Sequence, residues 1–256
     1  MLTIQAISAF NDNYIWLIED PDTRRVLIID PGDAAPVINA INQQQLIPSA
    51  ILITHHHSDH IGGITALTKQ YKLPVYGPES ESIIGLTHPL SDNPLLMIDP
   101  AFPVITVLAV PGHTAGHIAF LINDCLFCGD TLFAAGCGRL LGGTAEELFH
   151  SLQQLASLPI QTRIFCAHEY TEANLRFAAT VEPKNIAIQQ RIKDTSTLRQ
   201  QNLPSLPSTL ALELATNPFL RCDQEALTQS VQQFSGKTLS TPVEVFSALR
   251  AWKDLF

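Results

Sequence analysis

Through the first two-thirds of the chain, short apolar runs rich in β-branched residues alternate with clusters of Gly, Pro, Asn and Asp. Residues 14–18, 26–29, 50–54, 104–110, 117–122 and 164–167 have the length and composition of buried or half-buried strands. Three intervening segments read as helices: 34–43 after Asp30-Pro31-Gly32-Asp33, 64–71, and 145–155. The last opens on Thr144 with Glu147 three residues on. In that spacing each side chain can satisfy an amide that the first helical turn leaves without an intrahelical partner. The pattern predicts a mixed α/β region with many strands.

After Tyr170 the texture changes. Strand-like runs give way to Gln, Leu and Ala at helical spacing in 172–181, 186–199, 209–215 and 224–234. The Pro- and Ser-containing stretch 203–208 reads as a turn between helices. A final helix starts at Thr241-Pro242, with Glu244 completing a second capping box and Val245, Leu249 and Trp252 forming an apolar stripe. The reading is an α/β domain over residues 1–173 and a small all-α domain over 174–256.

Of the 256 residues, 46% are hydrophobic, enough to bury a substantial core, and the net charge is −9. That acidity argues against a nucleic-acid partner, which needs clustered Lys and Arg. No stretch approaches the roughly 20 apolar residues of a membrane span. The first residues show no basic segment followed by an apolar one, so no export signal is expected. The five cysteines are too few and too scattered for a disulfide scaffold. Cys125 and Cys128 have C-x-x-C spacing, but they sit in an apolar, strand-like run with no second such pair. Packing thiols in a reducing cytoplasm fit them better than zinc or redox chemistry.

The chemistry concentrates in Ile53-Thr54-His55-His56-His57-Ser58-Asp59-His60-Ile61-Gly62-Gly63, where four of the nine histidines fall in six residues. Imidazole nitrogen and carboxylate oxygen suit zinc, iron or manganese. His55 and His57 are two apart, so an extended strand end projects them to one side. Asp59 and His60 lie past the turn and can face a second ion, while His56 points away. Three later loops each follow a strand and each carry a donor: His113 between glycines, Asp130 after Gly129, and His168 after Ala167. The donors sort as His55, His57 and His113 for one ion, and Asp59, His60 and His168 for another, with Asp130 as the bridge. Open coordination positions and the absence of suitably spaced cysteines mark catalysis rather than a structural zinc. His117 is equally suited to orienting a ligand or to packing.

Thr54-His55-x-His57-x-Asp59-His60 is the T-H-x-H-x-D-H signature of the metallo-β-lactamase superfamily, and His113, Asp130 and His168 follow in that superfamily's order. More narrowly, the chain resembles the glyoxalase II family, the hydroxyacylglutathione hydrolases. The matching segments are Asp12-Asn13-Tyr14, Gly129-Asp130-Thr131-Leu132-Phe133, Gly136-Cys137-Gly138-Arg139, Ala167-His168-Glu169-Tyr170-Thr171 and Arg250-Ala251-Trp252-Lys253. The resemblance runs the whole chain. It implies an αββα sandwich followed by a helical domain that completes the substrate site, with Arg139, Tyr170, Arg250 and Lys253 contacting glutathione. Cations suit its carboxylates. Three departures stand out: Leu141 replaces a tyrosine found in some members, Ala167 a common glycine, and Gly142 a frequent acidic residue.

The resemblance implies a cytoplasmic monomer that hydrolyses S-(2-hydroxyacyl)glutathione, typically S-D-lactoylglutathione, in the second step of methylglyoxal detoxification. Two divalent ions, zinc first with iron or manganese as alternatives, would activate the attacking water, with Asp59 and Asp130 serving catalysis. No membrane or nucleic acid is expected as a partner. A persulfide dioxygenase with a single iron would leave Asp59, His60 and His168 without an ion to bind. A non-catalytic metal-binding protein is the remaining alternative, although nothing in the ligand set is missing.

Overall fold

The computed structural model describes residues 2–91 and 94–256. The chain forms two compact units, one of Met1–Ala109 with Ala115–Gly129 and one of Val110–Thr114 with Asp130–Phe256.

The first unit is built on a six-stranded sheet in sequence order. It comprises β1 (Thr3–Ala9), β2 (Asn13–Asp20), β3 (Arg25–Ile29), then α1 (Ala34–Gln44), β4 (Ile47–Leu52), α2 (Ser58–Ile61), α3 (Ile64–Tyr71), β5 (Val75–Pro78) and β6 (His88–Leu90). The first three strands pair antiparallel; β3 to β6 pair parallel. Both faces of its central strands, β2 to β4, are apolar. Ile15, Leu17, Ile28, Ile51 and Val75 pack with Val37 and Ile41 of α1 and Leu67 of α3. The alternate residues Trp16, Ile18, Leu27, Ile29 and Leu52 are equally buried. Strands covered on both sides read as continuous apolar runs, which is how the sequence shows them. Four further strands, β7 (Leu95–Leu96), β8 (Ile105–Ala109), β9 (Ile118–Ile122) and β10 (Cys125–Gly129), pair antiparallel in succession.

Because β3 and β4 run parallel, the loops after Ile29 and Leu52 leave from the same end of the sheet. That end carries the candidate ligands of this unit, as expected for loops at the carboxyl ends of parallel strands. Gly32 is required there by space. A Cβ on it would lie 1.8 Å from the carbonyl oxygen of Asp59, so only glycine lets the two loops pass.

The second unit holds the hairpin β11 (Leu132–Phe133) and β12 (Gly136–Cys137), then α4 (Ala145–Ala156), β13 (Arg163–Cys166), α5 (Thr171–Val181), α6 (Ile186–Gln200), β14 (Ser208–Thr209), α7 (Leu210–Thr216), α8 (Glu225–Ser235) and α9 (Pro242–Leu255). Both expected capping boxes form: Thr144 with Glu147 opens α4, and Thr241 with Glu244 opens α9. The core includes Phe177, Phe219 and Phe246, all fully buried, with Phe177 stacked on Phe219 and Phe246 meeting it edge-on. The segment after Tyr170 is not wholly helical. Ser208 and Thr209 form a two-residue strand antiparallel to Ile164 and Arg163, and Thr209 also caps α7 by accepting from the Leu212 amide. Two residues are too few to print a period of two on the sequence.

All five cysteines are buried thiols, Cys125 and Cys128 within β10. Among the described residues no helix is long and apolar enough to cross a membrane.

Candidate metal centre

In the first unit, β4 ends at Leu52 and the chain turns through Thr54 into the histidine loop. Thr54 is held at both ends by Asp30: its amide donates to Oδ1 at 2.8 Å and its hydroxyl to Oδ2 at 2.7 Å. His55 and His57 face one another, Nε2 to Nδ1 at 2.9 Å, as the two-residue spacing predicts. The other nitrogen of His55 meets Thr54 Oγ1 at 3.0 Å, and its ring stacks on buried His117 with centroids 4.6 Å apart. His56 points away, as expected; its amide and Nδ1 both engage Glu81, whose other oxygen accepts from the Gly116 amide.

His60 is buried, with Nδ1 3.0 Å from Asp30 Oδ2 and Nε2 3.5 Å from Asp59 Oδ2. Asp59 also accepts from Asn13 Nδ2 at 2.9 Å. Its contact with the His60 ring, reinforced by Asn13, holds the carboxyl well below the usual carboxylate range, against the opposing effect of burial. Asp30, His55 and His60 also offer atoms close enough to share an ion. With both Asp30 oxygens bonded to Thr54 and one to His60, however, its role is orientation.

In the second unit, Asp130 sits between two imidazoles, its Oδ2 3.5 Å from His113 Nε2 and its Oδ1 3.4 Å from His168 Nε2. The far nitrogen of His113 lies 2.8 Å from the Arg139 carbonyl oxygen, which fixes that ring's orientation. His168 stacks face-on with Tyr170 at 4.8 Å and meets the edge of Phe133. Gly138 is likewise required by space, since a Cβ there would lie 2.0 Å from the Asp130 carbonyl oxygen.

These separations test whether the residues fit metal. Pairs at 3.4–3.5 Å are long for hydrogen bonds. Two ligands on one ion at about 2.1 Å lie roughly 3.0–3.4 Å apart for octahedral to tetrahedral angles. Within each unit the donors are spaced as co-ligands, and the second ring nitrogens of His55, His60 and His113 are held by a hydroxyl, a carboxylate and a carbonyl oxygen in turn. The donor set fits.

The four expected substrate contacts all lie in the second unit. Arg139 is exposed and 4.0 Å from Asp254, and Tyr170 is exposed on one side. Lys253 is half-buried over the rings of Phe177 and Phe256. Burial, then the charges of Arg250 and Arg176, pull its ammonium down to about 8. Such crowding of cations creates a local positive potential that an anion would relieve. Arg250 is buried: it donates to the carbonyls of Cys137 and Gly138 and to Asp254, and lies over the Phe219 ring.

Sequence reading did not single out Asp30 or Glu81, nor a site role for Asn13. The one available signal for Asp30 was its position at a strand end before Pro-Gly.

Fold and donors define a class. Residues 10–168 match the metallo-β-lactamase superfamily model, so the chain is a mixed α/β protein of that superfamily, with a helical domain following. Residues 169–256 match the model of the hydroxyacylglutathione hydrolase C-terminus. A hydroxyacylglutathione hydrolase of Nitrosomonas europaea is 50% identical over 256 residues, covering 100% of this chain and 97% of that one. One from Shewanella baltica is 50% identical over 263 residues, covering both chains fully. The chain belongs to the hydroxyacylglutathione hydrolase family. Among solved structures, a protein crystallised in a di-iron-bound form is 27% identical, with TM-score 0.60 over 85% of this chain and 100% of that one. ETHE1 from Myxococcus xanthus, 22% identical with TM-score 0.66 over 100% and 99% of the two chains, shares the fold.

Proposed function

We propose that the chain is a dinuclear-metal thioester hydrolase that cleaves S-(2-hydroxyacyl)glutathione, foremost S-D-lactoylglutathione, to glutathione and the 2-hydroxy acid. This is the second step of methylglyoxal detoxification. The observation that carries the reading is a complete set of seven donors in a chain about 50% identical, end to end, to hydroxyacylglutathione hydrolases.

His55, His57 and His113 would hold one ion and Asp59, His60 and His168 the other, with the Asp130 carboxylate available to both. Zinc suits this nitrogen and oxygen set; iron and manganese are the alternatives. Bound there, two such cations would lower the pKa of the attacking water and neutralise charge developing on the carbonyl oxygen. The protein's own part is orientation. Asn13 holds Asp59, where the carboxylate also directs the attacking water; Asp30 holds His60, and the Arg139 carbonyl holds His113. Arg139, Tyr170, Arg250 and Lys253 bind the glutathione end, on the helical side of a functional boundary near residue 173 or at its margin. The enzyme works as a cytoplasmic monomer, with neither a membrane nor a nucleic acid as partner.

The test is steady-state hydrolysis of S-D-lactoylglutathione by protein as purified, after chelator, and after zinc is restored. Turnover that disappears with chelator and returns with metal supports the reading. Turnover indifferent to chelator, or absent in metal-replete protein, overturns it.

A further inference from the structure

The hairpin of β11 and β12 begins two residues after Asp130 and ends two residues before Arg139. It therefore frames the donors of the second unit: Asp130 leads into it, the Arg139 carbonyl that orients His113 follows it, and its Phe133 meets the rings of His168 and Tyr170. Its turn is strained. Ala135 has φ +54°, the left-handed region that favours glycine, and yet it is alanine.

Three buried side chains hold this turn. Glu213 accepts the Ala135 amide at 2.8 Å. Asn217 donates to the carbonyls of Phe133 at 3.1 Å and Gly136 at 2.9 Å. Asn174 donates to the Ala134 carbonyl at 3.0 Å. Glu213 is completely buried and is itself fixed by Arg191, Ser208 and Asn217. Arg191 in turn bonds Ser208 and Thr216. A buried ion pair with this many satisfied bonds leaves Glu213 one position to occupy. Four consecutive residues of the turn, 133 to 136, are thus bonded by side chains from α5, α7 and the residue that follows α7.

We propose that Glu213, Asn217 and Asn174 are positioning residues for the metal centre. They clamp the hairpin in a conformation its own sequence disfavours, so that Asp130 and the Arg139 carbonyl stand where His113 and His168 require them. The inference rests on the reading that Asp130, His113 and His168 hold metal.

The experiment measures zinc per chain against graded free zinc, set by a competing chelator, together with kcat and KM on a glutathione thioester. Outer partners of metal ligands typically contribute ten- to a hundredfold in affinity or activity. Asn217→Ala is therefore expected to bind one of its ions about ten- to a hundredfold more weakly and to lose kcat in proportion. Should Asn217→Ala fail to fold, Asn174→Ala removes a single bond to the turn and is expected to shift both quantities in the same direction by less. Adding Ala135→Gly to Asn174→Ala should recover part of the loss, because glycine enters the left-handed region without the steric penalty that alanine meets there. Wild-type zinc affinity and kcat in the variant that folds, with only a lower Tm, would overturn the proposal. Asp130→Ala is the control. If it keeps both ions, the metal reading fails and the clamp with it; if it loses zinc while the clamp variants do not, the clamp alone fails.

Discussion

His60 and Asp30 meet inside the first unit, Nδ1 to Oδ2 at 3.0 Å, with both side chains almost completely shielded from solvent. A carboxylate only accepts, so Asp30 favours the His60 proton on Nδ1, the tautomer that would leave the Nε2 lone pair to a metal. Asp30→Asn keeps the shape and reverses that preference, since an amide nitrogen can donate to Nδ1. The variant should bind one ion about ten- to a hundredfold more weakly. Zinc titration checks this, and unchanged affinity would show that the ring is oriented by packing alone.

Seven donors exceed what a single tetrahedral or octahedral ion uses. Elemental analysis of protein purified without chelator should therefore approach two ions per chain. Asp130→Ala should lower both occupancy and turnover. A stoichiometry fixed at one under metal-replete conditions would remove Asp59, His60 and His168 from the ligand set, and full activity in Asp130→Ala would remove the shared carboxylate.

What the sequence shows of this arrangement depends on locality. His55 and His57 are legible because a strand end with a two-residue spacing projects both to one side, and they do face each other at 2.9 Å. Thr144 with Glu147 and Thr241 with Glu244 are legible for the same reason: a cap is a contact between near neighbours. Asp30, Asn13 and Glu81 are not, because each reaches the site from another segment, where a lone carboxylate or amide after a strand or turn carries no pattern. Asp59 and Asn13 are 46 positions apart, and nothing in either neighbourhood announces the pairing. Strand β5 is obscured by its own Gly77 and Pro78, residues common in turns. Arg191 and Glu213 lie in helices, where charge ordinarily marks a solvated face, and only the fold reveals both as buried.

Lys253 gives a pH dependence whose sign follows from its surroundings. Its ammonium is pulled down to about 8, so it is charged at neutral pH and loses its proton as pH rises through that value. An anionic group binds the charged form. KM for a glutathione thioester should therefore rise between pH 7 and 9, beyond any change due to the substrate's own titration. Lys253→Arg supplies the comparison on the same substrate, because a guanidinium stays protonated throughout. Parallel KM profiles for the two proteins would remove Lys253 from the substrate site.

Arg250 poses the sharpest test of how α9 is used. Its guanidinium is buried, bonded to the carbonyls of Cys137 and Gly138 and to Asp254, so Arg250→Ala strands buried acceptors as well as removing a cation. Stranded polar groups cost about 1–3 kcal/mol each, more than the roughly 0.3–1 kcal/mol of a cation that merely complements a helix end. A Tm well below wild type is expected on that ground alone. Binding is a separate readout. A charge-assisted contact to glutathione is worth roughly 1.5–3 kcal/mol, so kcat/KM on the glutathione thioester should fall about ten- to a hundredfold. The contact lies away from the breaking bond and serves ground and transition states alike, so the loss should appear mainly in KM. Rates measured well below the variant's Tm, on a glutathione thioester and on a small thioester lacking the peptide, separate the two effects. A loss confined to the glutathione substrate places Arg250 in its binding site. Equal losses on both substrates would mean that it only supports the Cys137–Arg139 backbone, leaving Arg139 and Lys253 as the cations that meet the peptide.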